Sequence, residues 1–138
     1  VGRMNQQKLM SKLAELIDDS NAGVLSTLDQ NGVAHMRWMT PILIRGRKGV
    51  IYAVTSHSSN KVKQILQYPN VTWMIQTRSL DQVITIYGKT NVLENPSIKS
   101  ELLETVGDLK EFVVLETEIE KAVYYKPMKG LLNTVDFG

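Results

Sequence analysis

The segment Val50-Ile51-Tyr52-Ala53-Val54-Thr55-Ser56-His57-Ser58-Ser59-Asn60-Lys61-Val62 leads from an apolar, β-branched run into an amphipathic helix. The run reads as a strand, because Val, Ile and Tyr suit a pleated, half-buried surface. Val62, Ile65 and Leu66 then recur at helical spacing until Tyr68-Pro69 stops the pattern. Val71-Thr72-Trp73-Met74-Ile75 restores strand character. Such a strand-helix-strand piece is either a parallel βαβ unit or a crossover within an antiparallel barrel. One βαβ unit does not build a doubly wound sheet, so the rest of the chain must choose.

The flanking sequence favours the barrel. Leu9, Leu13, Leu16 and Ile17 give the stripe of a surface helix over about residues 5 to 19. Ala22 to Leu28 is a strand, and Asp29-Gln30-Asn31-Gly32 is a hairpin turn, since Asn-Gly tolerates positive φ. The return strand runs from Val33 to Ile44. Its alternation puts Ala34, Met36, Trp38, Ile42 and Ile44 on an apolar face and His35, Arg37 and Met39 on the other. Pro41 cannot donate to a ladder, so the strand is bulged or at an edge there. Arg45 to Gly49 turns the chain into the Val50 strand, as a hairpin with the preceding one. A fifth strand spans Gln82 to Leu93. Asn95-Pro96-Ser97 begins a short helix with Leu102, Leu103 and Val106 inward. The sixth strand spans Phe112 to Tyr125, where Glu116, Glu118 and Glu120 form a wet face opposite Thr117, Ile119 and Lys121. The tail from Lys126 is weakly patterned. The expected fold is mainly β (α+β): a six-stranded split β-barrel with an N-terminal helix and short crossover helices, in one domain over residues 1–138.

Composition narrows the chemistry. The 138 residues contain no cysteine, which excludes disulfides and thiolate catalysis. His35 and His57 have no carboxylates at metal-ligand spacing, so a metal is not expected. A net charge of +2 does not suggest nucleic acid, and no apolar run nears the about 20 residues of a membrane helix. The start shows no signal peptide, and a cytoplasmic protein is expected. No Ser-His-Asp, paired-carboxylate or nucleophile-elbow signature is present.

The junction after Val54 suggests a ligand class. A helix start presents unpaired N–H groups and partial positive charge. Thr55, Ser56, Ser59 and Lys61 surround that start, which suits a phosphate. Ser and Asn also cap helices routinely, and a first-turn lysine is commonly solvated. Arg37 could converge with Lys61 on one anion if the second and third strands are neighbours. Gln82 and Gln76 are polar residues at strand ends, able to bond a heterocycle or simply to end a strand. His57 reads as solvent-exposed, and His35 as an acid or base only if it faces a pocket.

Arg37-Trp38-Met39, Ile51 to Ser56, Ser59-Asn60-Lys61-Val62 and Tyr68-Pro69-Asn70-Val71, in that order, resemble the FMN-binding split-barrel family, the fold of pyridoxamine 5′-phosphate oxidase. The short chain and Tyr124 to Gly130 are most similar to the general stress protein 26 branch. The resemblance implies a homodimer with FMN at the subunit interface and an oxidoreductase working through it on an unknown small molecule. It implies that Arg37, Trp38, Met39 and Thr40 hold flavin and phosphate. Thr55, Ser56, Ser59 and Lys61 would hold the phosphate, and Gln82 would reach the ring from the other subunit. Two departures matter. Asn60 stands where the oxidases have arginine, and no tryptophan or arginine follows Arg78, which argues against vitamin B6 oxidation. A non-catalytic flavin-binding or sensing protein and a deazaflavin-dependent reductase remain alternatives. A nucleic-acid-binding barrel is disfavoured, because Trp38 and Trp73 lie in apolar alternation.

Overall fold

The structure is a computed structural model that describes residues 4–56, 58–94 and 112–138. Helix α1 (Gln6–Ser20) starts at Asn5, whose side chain accepts from the Lys8 amide, and ends at Asn21 in the left-handed region. Strands β1 (Gly23–Leu28) and β2 (Ala34–Met39) form the expected hairpin. Then come β3 (Val50–Ser56), α2 (Asn60–Gln67), β4 (Asn70–Gln76), β5 (Val83–Leu93), β6 (Phe112–Lys126) and β7 (Leu131–Asp136). The helix expected from Asn95, and His57, lie outside the described residues.

All the ladders are antiparallel, in the order β2-β1-β4-β5-β6-β3, with β7 added beside β6. The parallel βαβ alternative fails, because β3 and β4 are not neighbours and α2 crosses between distant strands. The expected hairpin of the second and third strands also fails. β2 stops at Met39, Thr40 and Pro41 break the ladder, and only Ile42 resumes contact as a single bridge to Tyr52. Its N–H donates to the Tyr52 carbonyl at 2.7 Å and its carbonyl accepts at 2.8 Å. That bridge joins the two ends of the sheet, so the barrel is split beside Pro41.

The faces of β2 are the reverse of the apolar-inward expectation. Met36 is 71% and Trp38 67% exposed. The register sets Arg37 opposite buried Leu25, so Arg37 and Met39 turn toward the covered side, while His35, opposite buried Thr27, stays exposed near the hairpin end. An edge strand has one neighbour, and that neighbour's pleat decides which face is covered.

Leu9, Leu13 and Leu16 of α1 pack with Leu25, Ile51, Trp73, Ile75, Ile84 and Ile86 in one core. The Trp73 indole N–H donates to Thr117 Oγ1 at 3.2 Å, and Thr117 and Thr90 hydroxyls meet at 2.8 Å. This satisfies a large buried amphipathic side chain where water cannot reach it. Between β5 and β6 the register shifts: Tyr87 faces Lys121 and Gly88 faces Ile119, leaving Glu120 as an extra residue. The bulge exposes Lys121 along with Glu120, whereas strict alternation had placed Lys121 with buried Thr117 and Ile119. The tail is more ordered in pattern than expected. Pro127 to Gly130 makes a turn with Gly130 at φ 64, after which β7 pairs with β6.

Candidate functional site

The site forms where α2 packs over β1 and its start comes within the electrostatic reach of Arg37 on β2. β3 ends at Ser56, whose carbonyl accepts the Ser59 amide at 3.2 Å. Ser56 and Ser58 hydroxyls meet at 3.1 Å across this turn. Ser59 occupies the N-cap of α2 in an extended conformation, yet its side chain makes no cap bond. Its buried hydroxyl has no hydrogen-bond partner among the described residues. A buried polar atom left unpaired costs free energy, so an orphan at a helix start points to a missing partner.

One cation stands in the first turn of this helix and a second lies within its electrostatic reach. Lys61 Nζ donates to Thr55 Oγ1 at 2.8 Å, and Thr55 is buried at the end of β3. Arg37 Nη1 donates to the Leu25 carbonyl at 3.1 Å and to Thr27 Oγ1 at 2.8 Å. Among the described residues neither Arg37 nor Lys61 has a carboxylate partner, in contrast to Lys12 with Glu15 and His35 with Asp29. Burial, and then the charge of Arg37, hold the Lys61 ammonium below the usual lysine range. Burial also lowers the Arg37 guanidinium from its usual value. Lys61 adds to the strain by standing in the first turn of α2, where the helix dipole opposes a cation and no acidic residue offsets it. A dianion placed among these groups would relieve all three unfavourable terms.

The other expected residues are distributed unevenly. Met39 follows Arg37 on the same face and packs against the core, while Trp38 points the opposite way and Thr40 is exposed. Gln82 precedes β5, and its Oε1 accepts from the Tyr124 hydroxyl at 2.8 Å. Arg37 pairs with Leu25, which pairs with Trp73, which pairs with Ile86. Gln82 is four residues from Ile86, about 13 Å along the strand, so one chain does not bring it to the cations. Gln76 is buried on the neighbouring strand end with its Oε1 unpartnered among the described residues. His35 Nε2 lies 2.8 Å from Asp29 Oδ2 at the hairpin. The sequence reading missed Thr27 and Gln64, which join Arg37 through hydrogen bonds. Neither carries a local signal: Thr27 reads as a strand residue and Gln64 as part of a wet helix face.

A hollow of about 1130 Å³ lies between α1 and the β6–β7 hairpin and is lined by residues such as Met10, Ile119 and Phe137. It contains neither cation of the cluster. Arg37 and Lys61 are both partly exposed, so the cluster opens to solvent on a single chain.

The class is defined at this point: an antiparallel split barrel carrying a cationic cluster where a crossover helix begins. The chain belongs to the pyridoxamine 5′-phosphate oxidase-like family, whose model matches residues 8–126. It is 30% identical over 128 residues to General stress protein 26 of Bacillus subtilis (strain 168), covering 85% of this chain and 88% of that protein. The solved General Stress Protein 26 of Bacillus anthracis str. Sterne superposes with a TM-score of 0.71 at 23% identity, covering 90% of this chain and 96% of that one. A pyridoxamine 5′-phosphate oxidase-related, FMN binding protein of Nostoc punctiforme PCC 73102 superposes with a TM-score of 0.69 at 10% identity, over 93% and 96% of the two chains. Among the described residues no helix is long and apolar enough to cross a membrane.

Proposed function

We propose that this protein binds FMN at the interface of a homodimer and serves as an FMN-dependent oxidoreductase. The observation that carries the reading is the pair Arg37 and Lys61, mutually repelling and without a carboxylate, together with the unpartnered Ser59 hydroxyl. A phosphate monoester supplies the dianion and acceptor oxygens these donors lack. Arg37 and Lys61 would balance its charge, and Thr55, Ser56 and Ser59 would orient it. Bound FMN would supply hydride acceptance, which no side chain can perform. The name of the Nostoc punctiforme relative supports the choice of flavin over other phosphates.

The exposed apolar face supports the second copy. Val24 pairs with both Trp38 and Met74, so these side chains share one face across β2, β1 and β4. Met36, Trp38 and Met74 are 71%, 67% and 40% exposed. Wet exposure of such a patch is unfavourable and marks an interaction surface. A partner copy would cover it, close the open cationic site, and bring its own Gln82 toward the ring. Trp38→Glu should convert a dimer to a monomer in size exclusion and weaken FMN binding. A wild-type monomer that still binds FMN would refute the interfacial site.

The direct test is FMN titration of the purified protein, followed by absorbance and flavin fluorescence. Saturable quenching with a shifted visible band is expected. No spectral change at any FMN concentration would sink the proposal. Stopped-flow mixing of the FMN-loaded protein with NADH or NADPH then separates a reductase from a flavin carrier, by whether the visible band bleaches.

A further inference from the structure

Arg37 is held by a device that involves two residues outside the FMN-contacting set. Thr27 is fully buried in β1, and its hydroxyl takes two bonds of fixed polarity. The guanidinium can only donate, so Thr27 Oγ1 accepts from Arg37 Nη1 at 2.8 Å. The single hydroxyl proton then goes to Gln64 Oε1 at 2.6 Å. Gln64 follows Lys61 by three residues in α2, so both lie on one helix face. The relay therefore ties β2, which carries Arg37, to α2, which carries Lys61, through β1.

We infer that Thr27 and Gln64 are positioning residues that hold Arg37 against the repulsion of Lys61 and aim it at a phosphate. The inference rests on the phosphate reading of the Arg37–Lys61 cluster. Nη1 is used up by Thr27 and the Leu25 carbonyl, which also fixes the plane of the guanidinium. The Nε and Nη2 donors make no hydrogen bond among the described residues, and they form the fork that binds a phosphate in bidentate fashion. Without the Thr27 hydroxyl, Arg37 keeps one carbonyl contact and has a like charge beside it. Rotation toward solvent is then favoured, and the fork is lost.

The test compares Thr27→Val, which keeps the shape and removes the hydroxyl, with Thr27→Ser, which restores it. FMN and riboflavin affinities are measured for each. The preference for FMN over riboflavin should fall about tenfold in Thr27→Val, as expected for one hydrogen bond to a charged group, and stay within about twofold of wild type in Thr27→Ser. Arginine side-chain NMR without flavin gives a second readout. The Arg37 Nη protons should be resolved in wild type and Thr27→Ser and averaged in Thr27→Val. An unchanged preference together with unchanged Arg37 signals in Thr27→Val overturns the inference. Averaged signals in Thr27→Val, with a wild type that does not prefer FMN over riboflavin, uphold the positioning and refute the phosphate reading instead. Should Thr27→Val fold poorly, Gln64→Leu at a partly exposed position removes the acceptor, and the same signals should broaden.

Discussion

Lys61→Ala is expected to weaken FMN binding by about 50-fold and to change riboflavin binding by less than about threefold. Hydrogen bonds to charged groups contribute about 1.5–3 kcal/mol, and 1.4 kcal/mol is a factor of ten. The lysine touches Thr55 and faces Arg37, with no carboxylate partner, so its removal costs the empty protein little. The loss should therefore appear in the phosphate-bearing ligand alone. Fluorescence titration with the two flavins checks this, and equal losses for both would refute the phosphate assignment. The pH dependence follows from the same geometry. Burial and Arg37 lower the Lys61 pKa from 10.5, so the folded protein releases this proton before the unfolded chain does. The charged form is thus penalised in the flavin-free fold at pH below the folded value. That penalty fades as pH rises toward 10.5. Phosphate binding has the opposite sign, since it needs the ammonium. FMN affinity should decline as pH rises through the lowered Lys61 pKa, and Lys61→Arg should hold its affinity to higher pH.

Gly88→Ala is expected to destabilise the protein by about 3 kcal/mol or more. A Cβ at residue 88 would collide with the Glu118 carbonyl oxygen and stand 3.0 Å from Thr117 Cγ2. The obstacle is backbone, and β6 is held on both sides by β5 and β3. The register shift next to Gly88 cannot relax without moving that central strand. Urea denaturation should show a lower midpoint with an unchanged slope. A loss below about 1 kcal/mol would mean that the β5–β6 register differs from the one described.

Legibility in the sequence varied from element to element. β1 with β2, and the strands ending near Ser56, Gln76 and Leu93, follow from β-branched runs and turn residues. β7 escaped notice because Leu131-Leu132 interrupts alternation, although Pro127 and Gly130 mark the turn before it. Lys121 was misplaced because a bulge leaves no trace in residue identity. At the candidate site, Arg37, Thr55, Ser59 and Lys61 were nameable from chemistry and position in the chain. Thr27 and Gln64 were not, since they lie 37 residues apart and neither is unusual where it stands.

Local sequence was sufficient to specify α1, α2 and the strands other than β7, where α2 begins, and that hydroxyls and a lysine gather at that start. Those properties depend on propensity, capping and spacing, which act over a few residues. The order of strands, the inward turn of the Arg37 face and the exposure of Trp38 arose only in the folded molecule. Period-two alternation is blind to which of two faces is covered; the pleat of β1 settles it for β2. The approach of two like charges without a counter-ion is likewise a product of packing. Core burial spread over the sheet tolerates a local repulsion that no isolated segment would sustain, and it is this repulsion on which the proposed anion site rests.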